Sequence, residues 1–282
     1  MQKFVSYISG WLSSLSWLVG VASAMFLAGN IIPTLISLEH PSFVPTLWQG
    51  YLFVVAICLT CFTVNGFLAK HLPLLEGFVL VFMLVAFFSL VVVLLVLSPK
   101  ISGAEVFQSF TPDLGSVGTL ELISAQILLF YSLLGSDSTA HMAKETEDAA
   151  LIIPRAMVGS YTVMGLMNLI ILVAFCFCWV DPEAYETTTT GYAFLQVFIS
   201  ATGSARGAVA LTTVMIVLII MSVTNFMAST SRQVFAFARD DGLPFRSFVA
   251  KVNPRTLTPL NSLIVVFLFV VLISLIGLGS TV

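Results

Sequence analysis

Charged side chains are scarce in this sequence. Only 9% of its 282 residues are Asp, Glu, Lys or Arg, whereas 59% are hydrophobic and the mean hydropathy is +1.06. Charged residues normally make up about a quarter of a soluble chain, so this composition cannot cover a water-facing surface. We therefore exclude a water-soluble globular protein and expect an all-α integral membrane protein.

Three further features that the sequence lacks exclude whole classes of function. The 11 Lys and Arg against 14 Asp and Glu leave a net charge of −3, so no nucleic-acid surface is expected. There is no glycine-rich phosphate loop, no GxSxG elbow and no HExxH motif, so we expect neither an enzyme nor a cofactor. Cys58 and Cys61 have metal-ligand spacing without a second pair; we interpret all 4 cysteines as small hydrophobic residues and expect no metal site.

Long apolar runs are what the sequence has instead. A window of about 20 residues, which is enough to cross a bilayer as a helix, predicts seven membrane spans in a single transmembrane domain covering residues 1–282. They are Trp11 to Ile36, Leu47 to Leu68, Leu74 to Leu97, Leu120 to Met142, Ala156 to Val180, Gly207 to Met227, and Pro259 to Leu278. The run Tyr192 to Ala201 is too short to span and is predicted to lie at the membrane interface.

The amino-terminal run allows a second interpretation. Lys3, the apolar stretch and the small residues Ala22 to Ala24 imitate a secretory signal and its cleavage site. The apolar pattern continues to Ile36, however, so we interpret it as a span. Small residues at Ser16, Gly20, Ala24 and Ala28 predict a face on which another membrane helix packs closely.

The basic residues predict the orientation. With the amino terminus in the cytoplasm, nine Lys and Arg residues fall in cytoplasmic segments and two, Lys100 and Arg206, fall outside. Cytoplasmic loops of membrane proteins carry an excess of Lys and Arg, so this bias supports both the orientation and the number of spans.

The fourth predicted span contains a polar interruption. Gly135, Ser136, Asp137 and Ser138 follow an apolar run, and each of these residue types weakens a regular helix. We predict a broken helix whose free backbone groups and Asp137 carboxylate bind a polar solute or an ion. The alternative is that Asp137 merely pairs with a neighbouring helix.

Other polar residues are candidates for the transport pathway or for gating. Ser222 and Asn225 share a helix face and either line a pathway, or hold an ion, or form ordinary interhelical hydrogen bonds. Arg232 and Arg239, two helical turns apart, belong either to a membrane-surface helix or to a cytoplasmic gate.

Two acidic residues complete the gating candidates. Glu76 is expected to be neutralised by Lys70 or to reach water, with gating as the alternative. Glu145 stands one turn after His141; because no third ligand is in sight, a polar helix end facing the cytoplasm is favoured over a metal site.

Several segments resemble the fungal branch of the amino acid, polyamine and organocation transporters, which includes GABA, choline and amino acid permeases. The resemblance lies in Phe130 to Asp137, Ala140 to Glu145, Ile153 to Met157, Ala228 to Arg232 and Phe235 to Phe245. It implies the leucine-transporter type of fold, an inverted repeat of two five-helix halves. It also implies that the chain begins at the family's third helix and stops near its ninth, so a fragment of a permease is expected.

The resemblance implies a function as well. We expect a secondary permease, in the plasma membrane or an internal, vacuolar-type membrane, that moves a small amino acid or amine by alternating access with a coupling proton. The alternative is a non-transporting membrane protein, either a nutrient sensor descended from permeases or an inactive truncated relic.

Overall fold

A computed structural model describes residues 2–108, 126, 131, 133–135, 137–141, 146–188, 190–254 and 258–279. Every regular element within those residues is a helix, as predicted for an all-α protein. The long helices are α1 (Gln2–Glu39), α2 (Leu47–Phe67), α3 (Leu72–Leu97), α6 (Ala149–Phe177), α9 (Ala205–Arg239) and α11 (Leu260–Ser274). The short ones are α4 (Gly103–Gln108), α5 (Ser138–His141), α7 (Pro182–Glu186), α8 (Ala193–Thr202), α10 (Arg246–Val249) and α12 (Ile276–Gly279).

Six helical segments are long and apolar enough to cross a membrane. They are Lys3–Glu39, Leu47–Phe67, Ala69–Leu97, Ala149–Phe177, Ala205–Arg239 and Leu260–Gly279. These confirm six predicted spans, while the remaining one, Leu120 to Met142, lies largely outside the described residues. The short run after Tyr192 forms the ten-residue helix α8, and its position at the interface stays a prediction.

The structure corrects three predicted boundaries. The first helix begins at Gln2 rather than Trp11. The helix of the predicted span Ala156 to Val180 begins earlier, at Ala149, and encloses Pro154. The stretch that contains Arg232 and Arg239 is not a separate membrane-surface helix, because α9 continues without a break to Arg239. No Gly or Pro interrupts residues 208–239, so nothing local ends the helix at the membrane surface.

The chain folds into two compact units, residues 1–83 with 212–282 (unit 1) and residues 84–211 (unit 2). In unit 1, apolar side chains of α1, α2, α9 and α11 form one core that includes Val21, Met25, Val54, Met227 and Val266, all at most 1% exposed. The single permease domain predicted from the sequence stays a prediction.

Glycine allows α1 and α2 to approach closely. A Cβ atom on Gly29 would lie 2.4 Å from the Val54 side chain and 2.9 Å from the Val54 backbone nitrogen. The predicted packing face of α1 is confirmed at Gly20, which contacts the ring of Phe226, and at the fully buried Ala28. Ser16 was assigned to the same face, but it is exposed.

The helices of unit 1 alternate in direction. One end of the unit gathers the start of α1, the end of α2, the start of α3, the end of α9 and the start of α11, as the contacts of Gly10 with Phe237 and a shared cavity described below show. The described basic residues of this unit all belong to that end: Lys3, Lys70, Arg232, Arg239, Arg246 and Lys251. This distribution agrees with the predicted cytoplasmic side. We call this end of unit 1 the basic end.

In unit 2, the end of α6 packs with α7 and α8. Tyr185 is 3% exposed and its ring lies 5.0 Å from that of Trp179. Phe198 of α8 is fully buried, 5.8 Å from the ring of Phe175. The Asp181 carboxylate accepts a hydrogen bond from the Ala184 amide at 3.1 Å, which caps α7.

Candidate functional site

A turn with a left-handed glycine lies at Gly135, the position of the predicted helix break, and the helix that precedes it in the prediction lies largely outside the described residues. Residues 133–135 form a turn, Gly135 has φ +95°, and a new helix, α5, begins at Ser138. The Ser138 amide donates to the Gly135 carbonyl at 3.0 Å, which closes a tight turn instead of continuing a regular helix. A positive φ raises the free energy of any residue with a Cβ atom, so glycine allows this turn at a lower cost in free energy.

The structure places three of the four predicted substrate-binding residues in this one turn. Gly135 and Ser138 are partly buried and Asp137 is exposed, while Ser136 lies outside the described residues. The carbonyl of Asp137 accepts from the Ala140 amide at 2.9 Å. The turn therefore brings a carboxylate beside a helix start within unit 2, and the assignment of a solute to it stays a prediction.

Ser222 and Asn225, on the polar face of α9, differ in their exposure. Ser222 is exposed, whereas the Oδ1 atom of Asn225 is buried and has no hydrogen-bond partner among the described residues. A buried carbonyl oxygen without a donor costs about 1 to 3 kcal/mol. Asn225 thus presents an open acceptor in unit 1, and its role in a pathway or in holding an ion stays a prediction.

Interhelical hydrogen bonding is made by the neighbouring residue instead. Thr224 is 5% exposed, and its hydroxyl lies 3.3 Å from the Sγ atom of Cys61 on α2. Asn65 of α2 donates through Nδ2 to the backbone oxygens of Cys61 and Thr224, both at 2.9 Å. The sequence reasoning missed Asn65, although an amide inside an otherwise apolar span is itself a signal of helix contact.

Two of the four predicted gating residues attract each other. Glu76, near the start of α3, has an exposed side chain that lies within electrostatic range of Arg232 of α9. The sequence pointed to Lys70 or water as the partner of Glu76; the exposed side chain agrees with contact to water, and neutralisation by Lys70 stays a prediction. The attraction to Arg232 arises only through folding, which brings the start of α3 to the end of α9.

The other two gating candidates are not joined to this pair. Arg239 is exposed and contacts the adjacent Asp240, with Nε 3.3 Å from the carboxylate. Glu145 lies outside the described residues. At the start of α10, Arg246 pairs with Asp241, and that hydrogen bond raises the pKa of Arg246 above its usual range. Exposed pairs of this kind contribute little to stability.

An aromatic cluster at the basic end was also missed. The ring of Phe237 on α9 lies 5.6 Å from the ring of Trp11 and 6.1 Å from that of Tyr7, both on α1. A Cβ atom on Gly10 would lie 2.4 Å from this ring, and one on Gly242 would lie 2.1 Å from it. The two glycines therefore make the slot into which Phe237 fits.

Comparison with known proteins supplies evidence on function that is independent of the structure. A family model described as amino acid permease matches residues 1–282. A putative amino acid/polyamine transporter of Macrophomina phaseolina is 29% identical over 264 residues, 92% of this chain and 58% of that protein. The choline transporter of Saccharomyces cerevisiae is 27% identical over 283 residues, 99% of this chain and 50% of that protein.

A third relative has a similar extent. An uncharacterized amino-acid permease of Schizosaccharomyces pombe is 27% identical over 285 residues, 98% of this chain and 52% of that protein. The chain thus spans about half the length of the curated relatives it matches. These relatives are named as transporters or permeases, and with the six apolar helices they identify a multi-pass integral membrane protein.

Proposed function

The chain belongs to the amino acid permease family, and we propose that the protein containing it is a secondary transporter of a small amino acid or amine. Transport proceeds by alternating access and is coupled to protons. The observation that supports this proposal is the turn at Gly135, with its positive φ, next to the Asp137 carboxylate in a chain with very few charges. Such breaks in membrane proteins line cavities, because free backbone groups need a polar partner there.

In this proposal the turn of residues 135–138 binds the solute. Backbone groups freed at Gly135 hydrogen-bond its polar ends, together with the hydroxyls of Ser136 and Ser138. Asp137 either pairs with an ammonium group or accepts the coupling proton, since a carboxylate can do both. Amino acids, GABA and choline all carry a positive nitrogen that this carboxylate attracts.

Asn225 and Ser222 have a separate role in the pathway. The buried Oδ1 of Asn225 accepts hydrogen bonds or coordinates a cation but cannot donate. Its chemistry therefore suits an ammonium N–H group or a passing cation rather than a carboxylate. This preference agrees with the choice of an amino acid or amine as the solute class.

Uptake assays test the proposal. The protein is reconstituted in proteoliposomes, and radiolabelled amino acids, GABA, choline and polyamines are offered with and without an inward proton gradient. Uptake of at least one solute is expected, and it should fall when a protonophore removes the gradient. No uptake of any solute by well-folded protein would instead favour a non-transporting derivative of the family.

A charge-neutral variant tests the site itself. Asp137→Asn is expected to lower the initial uptake rate about tenfold or more, because it removes a charge-assisted contact. Asp148→Asn is the matched control: Asp148 is exposed, its side chain makes no capping bond, and its left-handed backbone suits asparagine. Equal rates in wild type and Asp137→Asn would contradict the role of Asp137.

A further inference from the structure

A small cavity lies at the basic end of unit 1. It is bounded by the end of α2, the turn before α3, the start of α3, α9 and the start of α11. Its polar lining consists of Asn65, Ser231, Arg232 and Thr258, and its apolar lining of Ala69, Leu72, Ala228, Pro259 and Leu263. Its volume of about 20 Å³ is enough for one water molecule, which needs about 10 to 15 Å³.

The hydrogen bonds around the cavity suit a water molecule. Both N–H groups of Asn65 are used on backbone oxygens, so only its Oδ1 acceptor remains. The Ser231 hydroxyl donates to the Ala228 carbonyl at 2.7 Å, which leaves its lone pairs. Arg232 carries five N–H donors. Water can accept from the guanidinium and donate to both oxygens, as a buried water with three partners does.

The start of α3 closes one side of the cavity and also carries a carboxylate that attracts Arg232. Leu72 forms part of the wall and is 7% exposed. Glu76 follows one helical turn later, on the same face of the helix; its side chain is exposed, and its carboxylate lies within electrostatic range of the guanidinium that lines the cavity. Movement of the start of α3 away from α9 would therefore open the cavity and separate the charges in one step.

We propose that the cavity holds one ordered water and that this water, Glu76 and Arg232 form a lock between α3 and α9 on the predicted cytoplasmic side. In this structure the start of α3 closes one side of the cavity through Leu72. Release of the lock lets the start of α3 leave α9 and admits bulk water to the basic end. Its part in transport rests on the proposed function, as the inner closure of the pathway; its existence does not.

Thiol accessibility tests the lock without any solute. Ser231→Cys places a thiol in the cavity, in a Cys176→Ser background because Cys176 is exposed and the other three native cysteines are buried. A membrane-impermeant maleimide is added to inside-out vesicles. Labelling is expected to be slow, and about fivefold faster when Glu76→Gln removes the attraction. Glu183→Gln, an exposed change in unit 2, is the control and should leave the rate unchanged.

Charge exchange separates attraction from shape. The double variant Glu76→Arg with Arg232→Glu restores opposite charges and should return the labelling rate toward the slow value, whereas either reversal alone should not. Unchanged labelling in Glu76→Gln, or no recovery in the exchange, would overturn the lock. These outcomes do not depend on uptake, so failure of the lock and failure of the transport proposal are distinguishable.

Two measurements remain decisive if the cysteine variant does not fold. Hydrogen exchange of peptides covering residues 228–232 should be faster in Glu76→Gln than in wild type, without any engineered thiol. A density map that resolves ordered water should show one water within hydrogen-bond distance of Arg232. Equal exchange or a dry cavity would count against the proposal.

Discussion

Asn65 and Thr224 tie α2 to α9 inside unit 1. The Nδ2 atom of Asn65 donates to the Thr224 carbonyl at 2.9 Å, and the Thr224 hydroxyl lies 3.3 Å from Cys61 Sγ. This clamp holds the turn of α9 that also carries Asn225. The open Oδ1 acceptor of Asn225 is therefore positioned by a residue of another helix.

Loss of this clamp should destabilise the protein. Asn65→Ala is expected to lower the free energy of unfolding by about 1 kcal/mol, as for other interhelical hydrogen bonds in membranes. The measurement is thermal unfolding in detergent. Thr63→Ala is the control, because the exposed Thr63 hydroxyl bonds only its own helix at Leu59. Equal unfolding temperatures for the two variants would contradict the clamp.

The close approach of α1 and α2 should not tolerate a methyl group. Gly29→Ala places a Cβ 2.9 Å from a backbone nitrogen that cannot rotate away, and we expect a loss of about 1 to 3 kcal/mol, as for overpacking. Gly165→Ala in α6 is the control, since nothing lies within 4 Å of its Cβ position. If both variants unfold at the same temperature, the crossing is looser than the structure shows.

The positive φ of Gly135 predicts an effect on uptake. A Cβ at φ +95° strains the backbone by about 1 kcal/mol or more, although the surrounding space is open. Gly135→Ala should therefore reduce the initial uptake rate by distorting the proposed site. Gly159→Ala, with equally open space and no positive φ, should not reduce it. Rates are compared at equal amounts of protein in the vesicles.

The slot around Phe237 can be tested by a double-mutant cycle. Gly242→Ala alone should destabilise the protein, because its Cβ would lie 2.1 Å from the Phe237 ring. In a Phe237→Ala background the ring is gone, so the same change should cost less. The unfolding temperatures of the four proteins give the coupling. Additive effects would mean that the ring and Gly242 are not in contact.

Tyr192 predicts a change in alkaline stability. Partial burial raises the pKa of Tyr192 above its usual range, because burial disfavours the phenolate. The stability that this shift contributes is fully present below pH 10, the unfolded pKa, and is lost as pH rises through the folded pKa. Tyr192→Phe should therefore reduce the fall in unfolding temperature above about pH 10. An identical fall in both proteins would contradict the shift.

The six described spans and the turn at Gly135 could be predicted from local sequence. An apolar run of about 20 residues is sufficient to specify a membrane helix, because every backbone group must be bonded inside the segment. Gly135 with adjacent polar residues predicted the break for an equally local reason. Helix ends were less accurate: α9 continues to Arg239 because its polar last turns still form a good helix outside the apolar run.

Contacts between helices could not be predicted from local sequence. The sequence assigned Ser16 to the packing face of α1, yet the residue is exposed and the close approach lies at Gly29. Small residues show that a helix can pack closely, but not which turn its partner reaches. The clamp at Asn65 likewise joins residues that the sequence holds far apart.

The sequence by itself determined the solvent, the helices and their alternation, since these follow from hydropathy and loop charge. Tertiary structure alone brought Arg232 of α9 within electrostatic range of Glu76 and placed Arg232 in the lining of a cavity with Asn65. The physical reason is that hydropathy is a property of each segment by itself. Pairing and cavity shape depend on distances of a few ångströms between segments that only the packed helices define.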